Sequence, residues 1–357
     1  MSFRLAVAQI AACTFDSEIN NNLNVARIIA LLSKLSGRAD VLLIPELFVQ
    51  GYKLDDPDRV VSNSLSIQHQ RESERLEIAM VRRACGASGV ACLLTFAEAR
   101  AYGIENTAML IAADKSIKLV YRKTHLWACD AAGVAGERAV FASLPPAADG
   151  KHDQRAAFPV ADVVFSGTVS RESDIDGAPA IGAESESESE SESDAEIRVG
   201  ALICYDVEFP EPARILASRG ADVLLVPTAS TGPADILSGV LVPARAYENH
   251  VVCAYCNYPG KLSSPLPDLE GMHLDGKMSE ELLVLAREQA NAWAEKLPIL
   301  EASFASPVVQ HPTKEAAARG SDQDSGQASA LVFRSFTGNS TVCGPDGQVL
   351  ARLGVEE

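Results

Sequence analysis

The sequence contains no apolar run of about 18 residues, so no segment reads as a membrane span. It is poor in basic charge, with 31 Lys and Arg against 48 Asp and Glu, a net charge of −17. An excess of that sign disfavours nucleic acid and anionic membrane as partners. No basic region precedes a long apolar stretch at the start, and Phe3-Arg4-Leu5-Ala6-Val7-Ala8-Gln9-Ile10 reads as a buried strand rather than a leader. The one CxxC, Cys253 and Cys256, has no second cysteine pair and no histidines at ligand spacing, so no metal is expected. A phosphate-binding loop is missing as well, which argues against a built-in ATP-dependent partner domain.

Hydrophobic residues make up 47% of the 357, enough for a large core. Eight cysteines lie scattered in mostly apolar contexts, a pattern of reduced, buried thiols that suits the cytoplasm better than a disulfide framework. Apolar, β-rich stretches at 5–10, 40–44, 91–97, 106–111, 118–121, 199–204, 221–227 and 250–257 predict strands. Helical spacing predicts helices at 19–35, with Asn20 or Asn21 as N-cap, and at 73–88, 210–218 and 237–247. The whole of 1–357 reads as a single α/β domain with two interruptions. Residues 168–196 carry dense negative charge and alternate Glu and Ser from Glu184 to Ser193, which predicts a disordered acidic insertion. Residues 261–330, rich in Pro, Ser, Gly and charge, predict a second insertion with a helix at 279–296.

Three segments end apolar strands on reactive groups. Ile44-Pro45-Glu46 delivers a carboxylate from a buried strand, where it needs a partner or a raised pKa. Tyr121-Arg122-Lys123 ends a strand on paired cations, a pattern that a solvated basic edge also produces. Ile203-Cys204-Tyr205-Asp206 places a thiol before a bend and a helix opened by Pro210. Free N–H groups there can lower a thiol's pKa and hold an oxyanion. Taken singly, each has an ordinary structural explanation. Their order and combination carry more.

In that order the chain resembles the nitrilase, or carbon–nitrogen hydrolase, superfamily. The likeness rests on Pro45-Glu46-Leu47-Phe48, Tyr121-Arg122-Lys123-Thr124-His125-Leu126 and Cys204-Tyr205-Asp206-Val207-Glu208-Phe209-Pro210-Glu211. Asn106-Thr107-Ala108, Arg245-Ala246-Tyr247-Glu248-Asn249 and Gly338-Asn339-Ser340 extend it. The resemblance implies a four-layer αββα sandwich and a homo-oligomer. It also implies Cys204 as nucleophile, Glu46 as general base and acid, and Lys123 as oxyanion partner beside the Tyr205 backbone N–H. Glu137, in Gly136-Glu137-Arg138, matches a second glutamate of many members.

The function so implied is cofactor-free hydrolysis of a small-molecule amide through a thioester. Tyr205-Asp206 after the cysteine is similar to the amidase and N-carbamoyl-amine hydrolase branches rather than to true nitrilases. A catalytically idle scaffold on the same fold is the alternative of another class.

Overall fold

The computed structural model describes residues 2–12, 19–52, 54, 57–67, 76–127, 136–141, 158–166, 194–230, 236–260, 300–305 and 338–355. Twelve strands among them form two six-stranded sheets. The first holds β1 (Ser2–Val7), β2 (Val41–Leu43), β3 (Ala91–Arg100), β4 (Gly103–Ile111), β5 (Ile117–Arg122) and β10 (Leu300–Ala305). Their order is β10-β1-β2-β3-β4-β5. The second holds β6 (Val160–Ser166), β7 (Asp194–Ala201), β8 (Val223–Pro227), β9 (Val252–Cys256), β11 (Thr341–Cys343) and β12 (Val349–Arg352). Its order is β12-β11-β9-β8-β7-β6. In each sheet the central strands are parallel: Leu5 pairs with Val41 and Val41 with Ala91, as Val199 pairs with Val223 and Val223 with Val252. Antiparallel strands flank them.

The period-2 alternation of side chains explains the layering. Phe3, Leu5, Val7, Val41, Leu43, Leu93 and Leu110 join one core with residues of the second sheet such as Val199, Leu225 and Ala254. The intervening positions, Ala6, Ala8, Leu42, Cys92, Leu94 and Met109, face the other way. There they pack on Val25, Ile28 and Leu32 of helix α1 (Ile19–Lys34) and on Ile78 and Val81 of α3 (Leu76–Ser88). Leu216 of α4 (Pro210–Ser218) and Val242 and Ala246 of α5 (Val242–Asn249) cover the second sheet. A short α2 (Pro57–Ser62) lies between α1 and α3 in the chain. The result is helix, sheet, sheet, helix: the expected αββα sandwich.

Strands buried on both faces read as unbroken apolar runs, which is why Val41–Leu43, Val223–Pro227 and Val252–Cys256 were legible in advance. Elsewhere the sequence reading needs correcting. Asp194–Ala201 is one strand, so the last three residues assigned to the disordered insertion 168–196 pair instead with β6. Within the span taken as a second insertion, 261–330, Leu300–Ala305 extends the first sheet by pairing antiparallel to β1. Asn20 and Asn21 lie inside α1 rather than capping it, and Asn21 Nδ2 donates to the Asn63 carbonyl at 2.9 Å. The helix expected at 237–247 starts as a π-turn over Leu237–Leu241 before α5. The helix expected at 279–296, and residues 168–193, lie outside the described residues. No helix among those described is long and apolar enough to cross a membrane. Cys253 and Cys256 are fully buried free thiols, as read, and Cys256 Sγ donates to the Ala8 carbonyl.

Candidate active site

Glu46, Lys123 and Cys204 follow directly on strand ends or the turns after them, and the packing of the two sheets sets these ends side by side. Glu46 leaves β2 through Pro45, whose carbonyl accepts from Thr95 Oγ1. Its own N–H donates to Thr228 O at the end of β8, and its carbonyl accepts from Tyr258 OH at 2.7 Å. The carboxylate-bearing turn is therefore tied to both sheets. Leu47 next to it has φ +50°, a left-handed conformation that a branched side chain adopts only under constraint.

Lys123 follows β5, its N–H held by the Asn106 carbonyl at 2.9 Å. Its side chain is wholly buried, so it is not the solvated cation that the segment alone allows. The ammonium lies 2.8 Å from Glu46 Oε1 and 2.7 Å from the Glu137 carboxylate. Asn106 Nδ2 bridges the same two acids, at 2.7 Å to Glu46 Oε1 and 3.2 Å to Glu137 Oε1. Glu137 sits in a single 3-10 turn clasped to Trp127: its N–H donates to Trp127 O, and Trp127 N–H donates to Glu137 Oε2 at 2.7 Å. Tyr52 OH also reaches Glu137 Oε1, at 3.4 Å. Two acids and one cation thus share one buried chamber.

Cys204 opens a 3-10 turn after β7 with φ +48°, so the thiol stands on a strained strand-to-helix corner. The Ala229 N–H hydrogen-bonds its sulfur, and Glu46, Lys123 and Glu137 all act on it electrostatically. The N–H of Tyr205 lies in the first turn of that segment, where helical geometry leaves donors without an internal partner.

The electrostatics depart from one expectation. Free N–H groups at the turn were expected to lower the Cys204 pKa. Burial, together with the Glu46 charge, pushes it up instead, against the opposing pull of Lys123. Burial likewise raises Glu46, to about 8; Lys123 opposes the rise and Glu137 adds to it. For Lys123, burial favours the neutral amine, yet Glu137 and Glu46 outweigh it and hold the pKa well above its usual value. Glu46 Oε2 has no hydrogen-bond partner among the described residues although it is fully buried. An unsatisfied buried acceptor costs about 1–3 kcal/mol, which makes it a candidate for work that needs a free lone pair.

Beside the chamber lies a cavity of about 330 Å³ lined by Thr124, His125, Leu126, Arg138, Tyr205 and Phe209. His125 stacks on Phe209 with ring centroids 4.1 Å apart, and Tyr205 meets Phe209 edge-on at 5.2 Å.

A family model described as carbon–nitrogen hydrolase matches residues 4–357. The chain belongs to the carbon–nitrogen hydrolase family. Among its relatives, a hydrolase encoded beside pqqF in Pseudomonas protegens is 32% identical over 223 residues, 62% of this chain and 59% of that one. An (R)-stereoselective amidase from a Pseudomonas species is 24% identical over 66% of this chain and 65% of its own length. The matched part therefore spans about three fifths of these curated relatives. Among solved structures, a cysteine-to-alanine mutant of a Nesterenkonia amidase from the nitrilase superfamily superposes with a TM-score of 0.54. It is 22% identical, over 99% of this chain and 87% of that one, a likeness of fold.

Within this member of the carbon–nitrogen hydrolase family, Glu46, Lys123 and Glu137 are in direct contact and Cys204 lies within electrostatic reach of all three. Sequence reasoning missed Asn106 as a member of the group, quoting it only as part of a motif. Its signal was an amide inside the polar triplet Glu105-Asn106-Thr107 on a strand that runs on into the apolar Ala108–Ile111. It also used Asp206 only within a motif and to compare branches, whereas the structure gives that side chain five hydrogen bonds.

Proposed function

We propose that this carbon–nitrogen hydrolase cleaves the C–N bond of a small amide through a thioester on Cys204. The observation that carries the reading is the buried Glu46–Lys123–Glu137 cluster beside a thiol, with one oxygen of Glu46 unpartnered. Glu46 takes the thiol proton as sulfur attacks the carbonyl carbon. The new oxyanion sits between the Lys123 ammonium and the Tyr205 N–H, a pairing in which each donor is worth on the order of 10²–10³ in turnover. Glu46 passes the proton to the departing nitrogen and then activates water against the thioester. Glu137 and Asn106 hold Lys123 and Glu46 in register.

The adjoining cavity suits a short acyl group, and the Nesterenkonia amidase of similar fold has been crystallised with acrylamide and with butyramide. Arg138 adds a positive charge to the cavity wall, so the panel should pair neutral amides with carboxylated ones of equal length. The test is ammonia release from short amides, carbamoyl amines and nitriles by wild type and Cys204→Ala. Turnover of an amide by wild type alone is the expected result. Equal inertness of the two proteins across the panel would return the chain to the scaffold reading.

A further inference from the structure

Asp206 is completely buried two residues after the thiol, and the proposed reaction gives it no part. Its carboxylate accepts five hydrogen bonds. Oδ2 takes Tyr121 OH at 2.7 Å and the Ile203 N–H at 3.1 Å. Oδ1 takes Thr124 Oγ1, the His125 N–H and, with the proton on Nδ1, the His125 ring, each at 2.9 Å. These donors bracket the two reactive groups. Tyr121 stands two residues before Lys123, Thr124 and His125 one and two after it, and Ile203 one before Cys204.

Lys123 leaves the first sheet and Cys204 follows the second, so no backbone ladder joins them. We propose that Asp206 is the positioning residue that sets the Lys123 ammonium and the Tyr205 N–H at a fixed separation around the Cys204 sulfur. This rests on the amide-hydrolase reading above, in which those two donors share one oxyanion. A buried carboxylate is costly unless its lone pairs are met, and here the donors that meet them come from both sides of the reaction centre. The same carboxylate fixes the His125 ring against Phe209, and with it one wall of the cavity.

Asparagine at this position keeps the shape but turns an NH₂ toward donors. Facing Oδ2's partners it meets the Ile203 N–H; flipped, it meets the His125 N–H. One side of the clamp opens either way. Misplacement of a reacting group by about 1 Å costs on the order of 10²-fold.

The experiment compares full-length wild type, Asp206→Asn and Tyr121→Phe in butyramide turnover, in the pH profile of Cys204 alkylation by iodoacetamide, and in thermal melting. Alkylation reads the separation without any amide chemistry. The thiol titrates against Glu46, Lys123 and Glu137, and a retreating Lys123 raises its pKa, moving the profile to higher pH. For Asp206→Asn the expected result is a kcat lower by about 10²-fold, a KM within about threefold and a profile shifted upward. Tyr121→Phe, which removes one donor, shows the same pattern at about tenfold. A folded Asp206→Asn with wild-type kcat and an unmoved profile overturns the inference. Should that variant fail to fold, wild-type values in Tyr121→Phe overturn it. Should wild type hydrolyse no amide, the amide-hydrolase reading falls and the alkylation profile alone decides the role of Asp206.

Discussion

Replacing Glu137 with glutamine removes one of the two acids that share Lys123 while leaving the volume filled. The ammonium is 2.8 Å from Glu46 Oε1 and 2.7 Å from the Glu137 carboxylate, so those oxygens lie at most about 5.5 Å apart. At an effective dielectric of about 20, like charges about 5 Å apart repel by about 3 kcal/mol, or about two pKa units. Burial is the larger reason that Glu46 holds its proton up to about pH 8, and this repulsion adds to it. The sign follows. The basic form of Glu46 accumulates as pH rises through its pKa, so the acid limb of kcat/KM, which reports the free enzyme, should centre near 8 in wild type. Without the Glu137 charge the Glu46 pKa falls, and the limb moves to lower pH by about one to two units. The plateau should drop as well, on the order of tenfold or more, because Lys123 loses an anchor at 2.7 Å. Ammonia release from butyramide between about pH 5 and 10 separates the position of the limb from its height. A limb that stays in place, or moves upward, refutes the coupling whatever the plateau does.

Two further changes test the scaffold. Arg245 Nε and Nη2 donate to the carbonyls of Val207 and Glu208, each at 3.0 Å, bracing the turn that carries Cys204. Arg245→Met leaves those carbonyls without their donors and should cost about 2–4 kcal/mol, seen as a lower urea midpoint with reduced turnover; an unchanged midpoint counts against the brace. Gly338 has φ +60°, and a Cβ there would overlap the carbonyl and Cα of Val355. Gly338→Ala should therefore destabilise by about 1–3 kcal/mol, a fall of several degrees in the melting temperature.

How far the sequence revealed the fold depended on burial. Central strands such as β2, β8 and β9 have no solvent face, so their apolar runs were unbroken and readable. Edge strands lack that signal. β6 carries exposed Asp162 and Val164 between buried Ala161 and Val163, and β12 is largely exposed along Val349–Arg352. Neither was anticipated, and β10 was hidden inside a span whose composition reads as loop. The same contrast holds at the site. Glu46 and Cys204 each follow directly on an apolar strand and Lys123 closes one on paired cations, and those contrasts are local. Asn106, Asp206, Tyr52 and Tyr258 acquire their roles through hydrogen bonds to residues 31 to 212 positions away, which only the tertiary fold supplies.

The direction of the thiol's shift narrows how such a site can work. A cysteine lowered below neutrality can stand as a thiolate before substrate arrives, needing only a cation beside it. Cys204 is shifted the other way, so at neutral pH the sulfur keeps its proton, and the proposed mechanism has to remove it as the carbon–sulfur bond forms. That requires a base in the same chamber whose affinity for the proton approaches the sulfur's, since transfer to an ordinary surface carboxylate would be steeply uphill. Burial supplies the match: the desolvation that raises the thiol also raises Glu46 to about 8, which shrinks the gap between donor and acceptor. In the proposed mechanism Lys123 has a double task, holding the acid in place before reaction and receiving the negative charge that appears on the substrate oxygen during it. With the ammonium already held between the two acids, the proposed attack needs no charge brought in from solvent.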